Sequence, residues 1–146
     1  MQLKAYLAGL ALATLAFPAE AGICTLSLST QGTLTLSSDG QRLGSEEGPS
    51  PSPGTITILS IGSSTLTVAA PVWAQTPGTY QSGGETFEVR YSAPLSGGTQ
   101  PYTSSQTSFA IPNLVNPVLL TMHNRVTTTH GFAAGAYLTH TVVTCS

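Results

Sequence analysis

Three histidines, His123, His130 and His140, lie near the end of the chain, and Met122 precedes the first. Imidazole and thioether are ligands for copper or zinc. The separations of seven and ten residues match no compact ligand motif such as H-x-x-x-H. His130 stands before Gly131 and reads as a turn residue. His140 falls between Leu138 and Val142 and reads equally as a packed strand residue. The expectation is no metal and no cofactor, with Met122, His123, His130 and His140 the only soft-metal candidates.

Hydrolytic chemistry has little to stand on. A serine nucleophile needs a histidine and an acid in reach. Asp39 is the only aspartate, and the chain has no G-x-S-x-G elbow. Glu85 and Glu88 resemble a glycosidase pair in type. Three apart on a strand, they face opposite sides of a sheet, and Glu88 is expected to face Arg90 along the outer surface. The chain therefore reads as non-enzymatic. Trp73, Tyr80 and Tyr102, with Tyr91 nearby, are candidates for an aromatic sugar-binding platform. Trp73 follows Pro71 in a loop-like stretch, 70–80, which leaves room for it to be exposed. The competing reading is that these rings fill a small core.

The two cysteines, Cys24 and Cys145, bracket the chain from just after an apolar N-terminal segment to one residue before its end. That segment has Lys4, an apolar run from Ala5 to Phe17, and Ala19-Glu20-Ala21 as a small-x-small cleavage site. Cleavage after Ala21 is expected, leaving residues 22–146 as one exported domain. In an oxidising compartment two cysteines are expected to bridge, the alternatives being free thiols or links between chains. A Cys24–Cys145 bridge would close nearly the whole domain and contribute about 4–5 kcal/mol on the chain-entropy argument. Net stabilities of domains are only about 5–15 kcal/mol. No C-x-x-C is present, so the pair reads as structural rather than redox-active.

The elements that would hold these residues read as strands. Apolar residues take even positions in Cys24–Ser29 and recur with period two in 33–37, 55–58 and 65–68. In Thr86–Tyr91 the rings and Val89 share one face, with Glu88 and Arg90 on the other. This is the pattern of half-buried antiparallel strands. Beyond residue 21 no window keeps a helical apolar stripe. Ser38-Asp39-Gly40, Gly83-Gly84 and Gly97-Gly98 mark turns, and Ile61–Ser64 reads as a hairpin. Pro49, Pro51 and Pro53 stiffen a surface loop. Pro112 and Pro117 leave short strands at 108–111 and 118–123. The run 136–145 is apolar on both parities, as in a strand covered on both sides or one whose outer face meets a partner. The fold class is all-β: an antiparallel two-sheet sandwich of about seven or eight strands, with a closed barrel as the competitor.

Charge excludes some partners. After residue 21 there remain Arg42, Arg90 and Arg125 against Asp39, Glu46, Glu47, Glu85 and Glu88, a net −2. Three scattered arginines make no phosphate-tracking patch, so neither nucleic acid nor an anionic membrane is an expected partner. Lysine is absent after the apolar segment, and 38 Ser and Thr supply the polar surface of residues 22–146. Sheet edges normally carry charge, especially Lys, to block strand addition. Edges coated with Thr and Ser are suited to augmentation by a neighbour; the equal alternative is that bulges, prolines or the disulfide-tethered termini cover them.

The tail Gly131-Phe132-Ala133-Ala134-Gly135-Ala136-Tyr137-Leu138-Thr139-His140-Thr141-Val142-Val143-Thr144-Cys145 resembles the closing strand of secreted bacterial proteins of fimbrial or spore-coat-protein-U type. An A-G-x-Y motif there opens a last strand of alternating Thr and Val. The export segment and the cysteine soon after it fit the same group. The resemblance implies an immunoglobulin-like sandwich that assembles into pili or a surface coat, often with a dedicated periplasmic chaperone. The expected role is a secreted structural or adhesive subunit, at the cell surface or in the periplasm, that self-associates or joins other surface subunits. The alternative is a small extracytoplasmic module that binds carbohydrate or copper.

Overall fold

The computed structural model describes residues 22–146; the segment read as an export signal, residues 1–21, lies outside the described residues. Twelve strands and no helix occur among the described residues. They are β1 (Ile23–Thr30), β2 (Thr35–Leu36), β3 (Arg42–Gly44), β4 (Gly54–Ile61), β5 (Ser64–Val68) and β6 (Val72–Gln75). There follow β7 (Thr86–Ser92), β8 (Thr99–Thr103), β9 (Thr107–Ile111), β10 (Val118–Thr127), β11 (Leu138–His140) and β12 (Val143–Cys145).

Twelve exceeds the seven or eight expected because two long runs are broken and short partners fill gaps. The run after Ser64 stops at Ala69-Ala70-Pro71, where Pro71 has no N–H to donate, and resumes as β6. Its partner, the C-terminal run, breaks opposite it into β11 and β12. The strand expected over 33–37 shrinks to β2, whereas the one expected over 118–123 extends to Thr127.

The first layer runs β1-β4-β10 and continues to β3 and β2. β10 spends Val118–Met122 on β4 and Arg125–Thr127 on β3 along one side, and Thr121–Thr127 on β7 along the other. β8 completes that side. The second layer consists of β12-β5-β9 and the separate pair β11-β6. The sheets stay open, so the fold is a sandwich rather than a barrel. All pairings are antiparallel.

The Ile61–Ser64 reversal is not a hairpin. β4 is hydrogen-bonded to β1 and β10 on its two sides, so no edge remains for β5. The chain instead crosses from one layer to the other. Ser60 and Ser64 are buried at this corner, and the Ser60 hydroxyl donates to Ser64 Oγ at 3.1 Å.

The parity read from the sequence determines what meets between the layers. Ile58, Leu120 and Val89 from the first layer and Leu66, Val68 and Ile111 from the second are fully buried. Burying a side chain of this size stabilises by about 1.5–3 kcal/mol. Cys24 and Cys145 are disulfide-bonded, with Cα atoms 6.0 Å apart. The bridge ties β1, an edge of the first layer, to β12, an edge of the second. Such a bond belongs to an oxidising, extracytoplasmic compartment.

Candidate functional site

The two edges joined by the disulfide diverge away from it. Beyond the end of β12, between β1 and residues 137–141, opens a groove of about 510 Å³. Its floor is the inner face of the first layer, with Leu28, Ile56 and Met122, and Leu34 and Leu138 line it as well. Leu28 has core parity but is 63% exposed, and Leu138 is 56% exposed. Asn124 pins β11 across the floor: its Nδ2 donates to Thr139 Oγ1 at 3.2 Å, and its Oδ1 accepts from Thr141 Oγ1 at 2.9 Å.

The backbone on the β12 side of the groove is unspent. Thr65 and Ser146 exchange both backbone bonds, and Ala69 N–H donates to the Val142 carbonyl. Even-numbered residues of the final run therefore face β5 with their backbone groups. In an antiparallel ladder the odd-numbered Thr141 and Val143 turn theirs the opposite way, where no described strand pairs with them. β1 is likewise paired on one side only. Neither β1 nor β12 carries a charged residue. Val142 of the last run is also exposed.

Beneath the proline-rich loop, on the outer face of the first layer, sits a polar cluster. Glu46 accepts from the Arg90 guanidinium and from Tyr102 Oη at 2.7 Å. Arg125 binds Glu88 at 2.7 Å and stacks 3.8 Å from the centre of the Tyr102 ring. Arg90 thus pairs with Glu46, not with Glu88 as expected, because Arg125 stands directly opposite Glu88 in the β10–β7 register. Burial, then the hydrogen bond to Glu46, raises the Tyr102 phenol well above its ordinary pKa, so it stays a donor. His123 is buried here, with Nδ1 3.0 Å from Ser45 Oγ and Nε2 3.9 Å from Glu46. Burial lowers its pKa; Glu46 opposes that and Arg90 reinforces it. Ser, His and Glu are adjacent here. The acid is nevertheless committed to Arg90 and Tyr102, and Ser45 is buried. The trio works as a strut between loop and sheet.

The soft-ligand candidates do not converge. Met122 lies on the inner face of β10 and His123 on its outer face, His140 is exposed on β11, and His130 is exposed in a loop. Among the described residues no three His, Cys, Asp or Glu side chains are placed to hold a metal.

The three ring candidates are divided. Tyr102 belongs to the polar cluster. Trp73 is not in an exposed loop: it lies in β6 and is half-buried. It meets Phe87 at 5.3 Å, Tyr137 at 5.4 Å, Tyr80 at 5.8 Å and Phe132 at 6.4 Å between ring centroids. Such pairs add about 0.5–1.5 kcal/mol each beyond area burial. The buried indole N–H lies beside the Tyr80–Glu85 pair but outside hydrogen-bonding geometry. Tyr80 Oη donates to Glu85 at 2.7 Å; this bond lowers the Glu85 pKa, while burial chiefly raises that of Tyr80. Phe132 and Tyr137 were not among the sequence candidates. Period two was the signal for Tyr137, which shares the inward parity of Thr139 and Thr141; Phe132 lies in a loop, where no such pattern applies. Gly135, two residues earlier, has φ 147° and would place a Cβ 2.4 Å from the Pro77 ring, so only glycine fits there.

Comparison of the chain with protein-family models, with curated proteins and with solved structures finds no match.

Proposed function

We propose that this protein is an exported, non-enzymatic structural or adhesive subunit of fimbrial or coat type, assembling by strand addition. The observation that carries the reading is the groove between β1 and residues 137–141, which continues the open edge of β12. It combines an apolar floor, two one-sided strands and no charge on β1 or β12 to deter an incoming strand. An extended segment of a neighbouring subunit, a second copy or another surface protein, would lie between the two edges. Its backbone would take the open N–H and C=O groups, and alternate side chains would cover Leu28 and Met122. From Cys24 to Thr30 the edge offers about 20 Å, at about 3.3 Å per residue. A chaperone in the periplasm would serve by covering the groove until assembly. The resemblance of the tail to fimbrial and coat proteins supports the same reading.

The test is light scattering of purified residues 22–146 over a wide concentration range, with and without reductant. Multimers that persist in reductant are expected. Leu28→Lys, a charge at an exposed position on the groove, should abolish them and leave the far-UV circular dichroism unchanged. A strictly monomeric protein that never co-fractionates with cells would sink the proposal.

A further inference from the structure

A second concavity, of about 460 Å³, lies between the 37–42 turn, residues 79–81 and the loop at 130–133. That volume is within the ~300–1,000 Å³ range of small-molecule sites. Two half-buried rings line it, Tyr80 and Phe132, near-parallel at 7° with centroids 6.1 Å apart. Around them stand Asp39, Gln81 and His130, all exposed. We propose that this cleft binds a neutral pyranose, such as the terminal unit of a surface glycan.

Three features favour that chemistry. Aromatic rings offer an apolar surface to the C–H face of a sugar ring. A carboxylate, an amide and an imidazole together accept from and donate to vicinal hydroxyls. The carboxylate is also positioned in advance. One Asp39 oxygen is taken by the Ser37 hydroxyl and the Gln41 N–H, and the other has only Arg42, at 4.0 Å. Those two hydrogen bonds hold Asp39 below the ordinary carboxylate range, so it is an anion that disfavours acidic sugars. Arg42 does not reverse this, because it is also within 3.8 Å of Glu47.

The walls are joined. Phe132 N–H donates to the Gly40 carbonyl at 3.3 Å, and Gly40 and Gly131 both take left-handed φ, 71° and 76°. His130 Nδ1 lies 3.3 Å from Thr129 Oγ1, leaving Nε2 for a ligand. Unlike the groove, the cleft borders on no described strand edge, so its occupant is not a β-strand. Binding here and assembly at the groove are separate properties, and each can fail alone.

Trp73, the only tryptophan, contacts both rings edge-on and reports on them. Residues 22–146 should be titrated with methyl pyranosides of glucose, galactose, mannose and N-acetylglucosamine, and with glucuronic acid. The readouts are Trp73 emission and saturation-transfer NMR. At least one neutral sugar should saturate near millimolar, with glucuronic acid about tenfold weaker or more. Phe132→Ala should weaken binding about tenfold. Because that variant also loosens the Trp73 cluster, Gln81→Ala and His130→Ala, at exposed positions, are the deciding pair, each expected to lose about threefold or more. The proposal is overturned if no neutral pyranoside saturates, if glucuronic acid binds equally well, or if both exposed variants bind like wild type.

Discussion

The two ends of the sandwich are built from the same kind of sequence and finish differently. At the disulfide end, Thr/aliphatic alternation from both layers meets face to face, and Ile58 and Leu66 are fully buried. At the far end Leu28, of the same parity as Leu26 and Cys24, is largely exposed. The difference is not composition. β1 continues beyond Cys24 while β12 gives way to β11, which pairs with β6 and leaves the edge facing β1 open. An apolar parity is a request for a covering layer, and at this end the chain does not supply one. In its place the far end offers a strand-sized groove and, beyond it, the Trp73 ring cluster.

Breaking the disulfide should produce the largest effect, and at one end only. The Cys24→Ser, Cys145→Ser double variant removes a link spanning 121 residues. A loss of about 4–5 kcal/mol is expected from the loop-length argument, measured by urea unfolding. Hydrogen exchange should show β1 and β12 loosening before the Trp73 cluster. If the ring cluster unprotects first, the bridge is not the device that closes the core.

Leucine truncation compares the ends directly. Leu66→Ala should cost about 2–5 kcal/mol, since Leu66 is fully enclosed. Leu28→Ala, with little buried area to lose, should stay within about 0.5 kcal/mol. The order should invert for self-association, where Leu28→Ala weakens assembly and Leu66→Ala does so only through unfolding. Equal stability losses would mean that the groove is covered in solution.

Much of this was legible from residues alone. The parity of Cys24, Leu26, Val89 and Tyr91 placed them inward, and the cysteine pair was expected from export and count. What failed was whatever depends on partners distant in sequence. Ile61–Ser64 looked like a hairpin because a turn flanked by two alternating runs does not reveal that β4 has both edges taken. Trp73 was open between an exposed loop and a core ring because Pro71 marks a break; the residues after it pair with β11, and the core reading holds. Glu88 was paired with Arg90 by proximity along the strand, whereas cross-strand register gave it Arg125. For the cleft, Tyr80 was a candidate in the sequence. Phe132, Asp39 and Gln81 were not, because only the fold brings the three segments together.

The pH dependence of stability tests the boundary between the two ends, where Ser45 both holds His123 and lines the groove. His123 faces Ser45, Glu46 and Arg90, and burial holds its pKa below 6.5 in the folded protein. The unfolded chain therefore takes the proton first. Stability should be full above pH 6.5 and fall as pH drops toward the depressed value, by at most about 1.4 kcal/mol per pH unit. Asp39 and Glu85, whose pKa values are also lowered, lose their contributions only below their ordinary 3.8 and 4.5, in a separate window. Urea unfolding at about pH 7.5 and about pH 5.5 should show the loss, and His123→Gln should flatten it. A slope that survives in His123→Gln would show that His123 is not the group that titrates. A flat wild-type profile would mean that water reaches His123 and the loop over it opens. If the loss appears and His123→Gln flattens it, Ser45 is a fixed part of the groove lining; if the wild-type profile is flat, Ser45 moves with the loop over His123.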